Sequence, residues 1–125
     1  MFNAPLKNAR GLGSAKDGTH HFIVQRVTAV ALIPLVIWFV YGVTCHASGD
    51  YVAAAQWVSM PWNTVLLIAL VAAGFWHSAL GVQVVIEDYI GTEFTKIASL
   101  LVSQLLHALL ALAAIVSILK ISFGA

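Results

Sequence analysis

The sequence is poor in charged residues. Only 9% of its 125 residues are Asp, Glu, Lys or Arg, whereas 61% are hydrophobic. A soluble domain carries charge at about a quarter of its positions, so this chain lacks the polar surface that a water-soluble fold requires. The net charge of +1 and the scattered cations also exclude the basic patch of a nucleic-acid-binding protein. The composition therefore indicates an integral membrane protein in contact with the lipid bilayer.

Cysteine and signal-peptide features are also scarce. The one cysteine, Cys45, excludes an internal disulfide and a cysteine-ligated metal cluster held by this chain alone. Residues 1–14 lack the apolar core of a cleavable signal peptide, so we expect the mature helices to drive insertion. No internal repeat is present, and we predict a single domain over residues 1–125.

Long uncharged segments predict three transmembrane helices. Residues 27–49 and 97–119 contain no Asp, Glu, Lys or Arg, and a helix of that length can cross about 30 Å of hydrocarbon. Residues 51–86 are also uncharged but too long for one crossing, and Pro61 marks a break within them. After an N-terminal segment of residues 1–26, the spans are placed at about 27–43, 64–86 and 97–119.

The Lys and Arg residues predict the orientation. Only Lys120 lies on the side opposite to the other cations, so the positive-inside rule places the N-terminus in the cytoplasm and the C-terminus in the periplasm. The cytoplasmic cations are Lys7, Arg10, Lys16, Arg26 and Lys96. The predicted fold is all-α, in the bacterial inner membrane in preference to the mitochondrial one. Pro34 should kink the first helix without ending it, and Trp57 and Trp62 should lie in an interfacial aromatic belt.

His77 lies near the middle of the second predicted span, where a polar side chain is costly unless it faces a partner, a cavity or a metal. Gly74 and Gly81 share its helix face and leave space for a flat ligand such as a porphyrin, or for a second helix backbone. Alternatively, His77 only hydrogen-bonds to a neighbouring helix and the glycines only pack. The spacing leaves both interpretations open.

Asp88 and Tyr89 end the second predicted span. Asp88 is eleven residues after His77, which exceeds three full turns by about 20°, so both residues lie on one helix face. The Tyr89 phenol can donate a hydrogen bond to a quinone carbonyl at the membrane interface. The alternative is an ordinary interfacial tyrosine beside solvated acids.

Two imidazoles and a guanidinium precede the first predicted span, on His20, His21 and Arg26. His20 and Arg26 need not share a helix face, but a segment packed back on the bundle could bring both to one anion. Guanidinium suits bidentate binding of a carboxylate such as a haem propionate. Arg26 can equally be a topology-setting charge that reaches the headgroups.

Two segments resemble the succinate dehydrogenase hydrophobic membrane anchor subunits, the smaller of two cytochrome b556 anchor chains. The run GTHHFIVQRVTA at residues 18–29 is similar to the N-terminal signature of that family. The run HSALGVQVVIEDY at residues 77–89 resembles its helix histidine, its glycine four residues later and its closing Asp-Tyr pair. The chain length and the three spans agree with the resemblance over essentially the whole chain.

The resemblance implies a role for each matched position. His77 would be an axial ligand of haem b, with the other axial histidine supplied by the larger cytochrome b556 anchor subunit. Tyr89 would hydrogen-bond a ubiquinone carbonyl, with Asp88 close by. His20 and Arg26 would lie near the haem propionates and the quinone pocket. Enterobacterial relatives have Asp where this chain has His21, which puts any proton-handling role of His21 in doubt.

The resemblance also implies two soluble partners, a flavoprotein subunit that oxidises succinate and an iron-sulfur subunit that passes electrons to quinone. This chain would dock them and contribute half of the haem site and part of the ubiquinone site, in the tricarboxylic acid cycle and the respiratory chain. It has no nucleotide-binding glycine loop and no cluster-binding cysteine set, so it is not expected to be an enzyme on its own.

His107 supports the main alternative function, in which this chain binds haem without a partner subunit. It lies near mid-depth of the third predicted span, so His77 and His107 could clamp one haem in a self-contained bis-histidine membrane cytochrome b. Because of the family resemblance, we interpret His107 instead as a buried packing residue bonded to Ser103 or to a partner helix. A small transporter or a purely structural anchor would use every histidine for packing.

Overall fold

A computed structural model describes the backbone of residues 13–124 and the side chains of residues 18–124. The described part of the chain contains helices and no strands. The helices are α1 Gly13–Gly42, continued by a π-helical turn Val43–Ala47, then α2 Tyr51–Ser59, α3 Pro61–Tyr89 and α4 Glu93–Ser122. The predicted all-α class is therefore confirmed. Residues 1–12 of the predicted N-terminal segment lie outside the described residues, as do the side chains of Lys7, Arg10 and Lys16.

Three segments are long and apolar enough to cross a membrane, as predicted. They are Gly18–Ala47, Pro61–Tyr89 and Glu93–Ser122, with mean hydropathies of 2.1, 2.0 and 2.2. Each is longer than the span predicted within it. Pro34 lies inside α1 without ending it, as expected for a proline whose freed carbonyl lies in a helix bundle.

The N-terminal part of α1 differs from the predicted arrangement. Residues 13–26 continue the helix of the first span and are not a separate segment packed back on the bundle. His20 and Arg26 therefore keep the spacing of one continuous helix, where six residues place their side chains about 120° apart. His20 and Arg26 thus lie on different faces of one helix, and the packed-back segment that could have brought both to one anion is not present among the described residues.

Helix α2 was not predicted from the sequence. The Asp50 carboxylate accepts a hydrogen bond of 2.7 Å from the Ala53 N–H, which caps the first turn as an aspartate at an N-cap does. Pro61 then occupies the first position of α3, where its missing N–H costs nothing. The short helix ends at Ser59 because a proline two residues later cannot extend it.

The three long helices form a row with α3 in the middle. Helix α3 contacts both α1 and α4, whereas the described residues of α1 and α4 do not contact each other. Helix α2 lies across one set of helix ends, where it contacts α3, α4 and the π-helical turn. Such a row has no enclosed core of its own, so any mid-membrane site lies at a contact between two neighbouring helices.

Side-chain hydrogen bonds stabilise the helix ends that lie near α2. Thr64 Oγ1 lies 2.8 Å from Ser122 Oγ, and Asn63 donates a 2.7 Å bond to the Trp57 carbonyl. Trp57 is only 7% exposed and stacks on Trp38 with ring centroids 5.3 Å apart. The Trp57 ring therefore packs against α1 and is covered by the chain itself. Trp62, by contrast, is 78% exposed.

Candidate functional site

His77 contacts the first helix through Thr28. The Nδ1 atom of His77 lies 3.0 Å from Thr28 Oγ1, and Thr28 is only 8% exposed. The imidazole itself is half-buried. Its other nitrogen, Nε2, has no hydrogen-bond partner among the described side chains and backbone. The contact between α1 and α3 thus engages one ring nitrogen and leaves the second free.

A cavity of about 490 Å³ lies beside this contact. Its volume is within the range of small-molecule and cofactor sites, roughly 300–1,000 Å³. The lining includes polar side chains from both helices, namely His21, Gln25, Arg26 and His77. The structure therefore brings the predicted iron ligand and the predicted carboxylate-binding guanidinium to one cavity.

Two polar atoms near this cavity are buried without a partner. His21 Nε2 and Gln25 Oε1 have no hydrogen bond to any described group, although both residues line the cavity. Buried polar atoms in folded proteins nearly always have a partner. These two atoms, one turn apart on α1, are therefore suited to a polar group that comes from outside the chain.

Arg26 lies close to the level of His77 along the two helices. It precedes Thr28 by two residues, which is about 3 Å of rise along a helix, so its backbone lies at nearly the depth of His77. Its guanidinium carbon lies 5.0 Å from the centre of the Phe22 ring, one turn nearer the N-terminus. Arg26 lies inside Gly18–Ala47, a segment long and apolar enough to cross a membrane, and a charge within such a segment is typical of a functional site.

The two glycines on the His77 face have different surroundings. A Cβ on Gly74 would lie 3.9 Å from Leu32 Cδ2 of α1, which is ordinary packing distance. A Cβ on Gly81 would have no atom within 4 Å. Gly74 therefore serves the helix contact, and Gly81 leaves open space on the same face as the histidine.

The remaining predicted residues lie outside this cavity. Asp88 and Tyr89 are in the last turn of α3, and Tyr89 is 84% exposed. Because α3 is continuous from His77 to Asp88, the two residues lie on one helix face as the spacing predicts. His20 is exposed and does not line the cavity, whereas its neighbour His21 does.

His107 uses both of its ring nitrogens within the chain. Nδ1 lies 2.7 Å from the Ser103 carbonyl oxygen, and Nε2 lies 3.0 Å from Ser78 Oγ of α3. The predicted bond to Ser103 is therefore confirmed. His107 lies at the contact between α3 and α4, whereas His77 contacts α1, so the two imidazoles belong to different helix contacts.

Sequence reasoning assigned no role to Thr28, Gln25 or Ser78. Thr28 and His77 are 49 residues apart, and no spacing rule relates residues on two separate helices. The available signal was polarity, because Gln25 and Thr28 are uncharged polar residues at the start of a long apolar run. Such residues in a membrane helix usually face another helix.

No cluster of three or more His, Cys, Asp or Glu side chains that could hold a bare metal ion occurs among the described residues. Cys45 is a free, exposed thiol, and His46 makes an edge contact with the Tyr41 ring at 6.0 Å between centroids. The donor set at the cavity consists of a free imidazole nitrogen on each of His77 and His21, with the Arg26 guanidinium on the same lining. These donors suit a metal whose other ligands are supplied mainly by a prosthetic group.

The sequence of this chain is similar to those of membrane subunits from a single family. The family model described as succinate dehydrogenase/fumarate reductase transmembrane subunit matches residues 2–119. The succinate dehydrogenase hydrophobic membrane anchor subunit of Rickettsia bellii is 32% identical over 117 residues, covering 94% of each chain. That of Rickettsia conorii is 34% identical over 105 residues, covering 83% of each chain. That of Paracoccus denitrificans is 28% identical over 121 residues, 97% of this chain and 93% of the relative.

Proposed function

Since this chain belongs to the family of succinate dehydrogenase/fumarate reductase transmembrane subunits, as a non-catalytic membrane anchor, we propose that it holds haem b and ubiquinone for the complex. In this proposal His77 is one axial ligand of haem b. The chain also docks the flavoprotein and iron-sulfur subunits. The enzyme's dicarboxylate chemistry takes place on those partners, and this chain supplies a site for electron transfer in the membrane.

One observation carries the haem assignment. His77, whose Nε2 atom has no hydrogen-bond partner among the described residues, and Arg26 line the same cavity. Haem needs an imidazole nitrogen for its iron and a cationic group for its propionates, and guanidinium binds carboxylates bidentately. Gly81 leaves the face beside the imidazole open, so the residues present fit the group. Bound haem b supplies one-electron redox chemistry.

The second axial ligand is proposed to come from the larger cytochrome b556 anchor subunit. His107 is poorly suited to that role because both of its ring nitrogens lie within hydrogen-bond distance of serine oxygens. Iron ligation would require breaking one of these bonds and leaving a serine group unpaired in the membrane. The same observation disfavours the self-contained bis-histidine cytochrome.

The lining of the cavity also indicates which side chains would contact the haem propionates. Arg26 and His21 line it, so these two side chains would contact the haem propionates, whereas His20 is exposed and lies outside the cavity. The unpartnered His21 Nε2 can donate a hydrogen bond to a carboxylate or carbonyl oxygen. In this assignment His21 holds a haem propionate. That role does not depend on the aspartate that enterobacterial relatives have at this position.

Ubiquinone is assigned to the end of α3. Tyr89 is 84% exposed, so its phenol is free to donate a hydrogen bond to a quinone carbonyl, with the Asp88 carboxylate adjacent. Donors placed at the oxygen where charge develops stabilise the reduced head group. The positive-inside rule predicts that this end of α3 faces the cytoplasm, the side on which the iron-sulfur subunit would dock.

The direct test of the proposed function is purification of the tagged chain from its native membrane in mild detergent. We expect three further subunits to co-purify, with bound haem b and succinate-driven reduction of ubiquinone. A red protein that purifies without partners would instead support the self-contained cytochrome. A colourless complex would reduce the role of the chain to a structural anchor.

A further inference from the structure

We propose that Thr28 is a positioning residue that fixes the tautomer and ring orientation of His77, so that Nε2 faces the iron. This inference rests on the proposed haem ligation by His77. It adds a residue of α1 to a site whose ligand is on α3. The support comes from the hydrogen bonds around a single hydroxyl group.

The Thr28 hydroxyl has one proton and three neighbours at hydrogen-bond distance. Oγ1 lies 2.9 Å from the Val24 carbonyl oxygen and 3.0 Å from the Gln25 carbonyl oxygen, and it lies 3.0 Å from His77 Nδ1. A carbonyl oxygen can only accept a hydrogen bond. A threonine in a helix commonly donates its proton to such a carbonyl one turn earlier.

The proton of the hydroxyl is therefore committed to the α1 backbone, and its oxygen lone pair is left for His77. Nδ1 must then carry the hydrogen and donate it to Thr28. In a neutral imidazole with Nδ1 protonated, Nε2 holds the lone pair, which is the atom that can bind iron. Metal-binding histidines generally donate their second ring N–H to a fixed acceptor in this way.

Burial and position favour this role over ordinary packing. Thr28 is among the few buried polar residues of the described chain, at 8% exposed, so water does not compete for its oxygen. Thr44, in the π-helical turn at the opposite end of the first span, makes the same two backbone bonds, to the carbonyls of Val40 and Tyr41, but is exposed, and its hydroxyl makes no hydrogen bond to a histidine among the described residues. Thr44 is thus a matched control on the same helical segment.

The test measures haem properties in the purified complete complex for Thr28→Val, Thr28→Ser and Thr44→Val. Valine keeps the shape of threonine but removes the acceptor for Nδ1–H. We expect Thr28→Val to lose haem to apomyoglobin on the order of tenfold faster than the unsubstituted complex. Its haem midpoint potential should shift to a more positive value, because a weaker acceptor makes the imidazole a poorer donor to ferric iron. Thr28→Ser and Thr44→Val should behave as the unsubstituted complex does.

Two outcomes separate this inference from the proposed function. If Thr28→Val leaves the potential, the ferric haem electron paramagnetic resonance spectrum and the haem loss rate unchanged, while His77→Ala abolishes the haem, then only the role of Thr28 is overturned. If haem persists in His77→Ala, the proposed function itself fails. Should Thr28→Val not assemble, a shift in potential or loss rate in Thr28→Ser would overturn the inference, since serine keeps the acceptor.

Discussion

At the scale of single residues, two histidines at similar depth differ in the use of their ring nitrogens. His77 engages Nδ1 with Thr28 and keeps Nε2 free, whereas His107 engages both nitrogens with serine groups. Side-chain identity and helix position cannot distinguish these cases, because both residues are lone histidines in apolar spans. The distinction depends on which neighbouring helix each ring contacts.

Tyr89 gives a residue-scale prediction for the quinone site. Tyr89→Phe removes the phenolic donor but keeps the ring, so we expect a complex that assembles normally and reduces ubiquinone with a roughly tenfold lower kcat/KM, the effect of losing one hydrogen bond of about 1.4 kcal/mol. The measurement is succinate-driven reduction of a short-chain ubiquinone over a range of quinone concentrations.

Tyr51→Phe is the matched control for that experiment. Tyr51 is the first residue of α2, and 74% of its surface is exposed. It lies near the opposite ends of the long helices from Tyr89. Its substitution should leave quinone reduction unchanged. Equal kinetics for Tyr89→Phe and the unsubstituted complex at limiting quinone would refute the assignment of Tyr89.

At the scale of helices, the sequence predicts the number and type of the spans but not their contacts. Uncharged runs are a strong signal for membrane helices, and all three are present. The short helix α2 was missed because its residues 51–59 resemble the apolar segment that follows them. Its limits depend on the Asp50 cap and on Pro61, and its packing depends on the contact between Trp57 and the residues of α1.

The two tryptophans near α2 give a prediction at this scale. Trp57→Ala removes a buried ring that stacks on Trp38 and occupies the space where a side chain on Gly42 would lie. We expect it to destabilise the chain by roughly 3 kcal/mol, as loss of a packed aromatic ring does. The measurement is the thermal unfolding midpoint of the purified complex in detergent.

Trp62→Ala serves as the control, since the same residue type lies five positions later with 78% of its surface exposed. We expect a change within about 0.5 kcal/mol, the usual effect of a surface substitution. A similar loss of stability in both variants would show that Trp57 is not a packing centre between α1 and α2.

At the scale of the whole molecule, the three long helices form an open row and not a closed bundle. Few residues of the three spans are buried within the chain, between 0% and 11% of an apolar 18-residue window in each, so both sides of the row are available to lipid and to other helices. Helix α3 lies in the middle and carries His77, Asp88 and Tyr89. Sequence reasoning identified this helix as the carrier of the site, but could not show that α1 supplies the second wall, because that wall depends on tertiary contacts between distant segments.

The open row also explains why one chain is expected to supply only half of a haem site. The cavity at His77 is open to the surroundings of the chain, and His21 Nε2 and Gln25 Oε1 near it lack partners among the described residues. A second anchor subunit can close the cavity, bond these atoms and provide the other axial histidine. The proposed function therefore requires the assembled complex for stable haem binding.

The most direct measurement of this account is the reduced-minus-oxidised visible spectrum of the complete complex, compared between His77→Ala and His107→Ala at equal subunit content. We predict that His77→Ala loses the haem b bands while His107→Ala retains them with unchanged position and intensity. Retention of the bands in His77→Ala together with their loss in His107→Ala would contradict the assignment of the iron ligand.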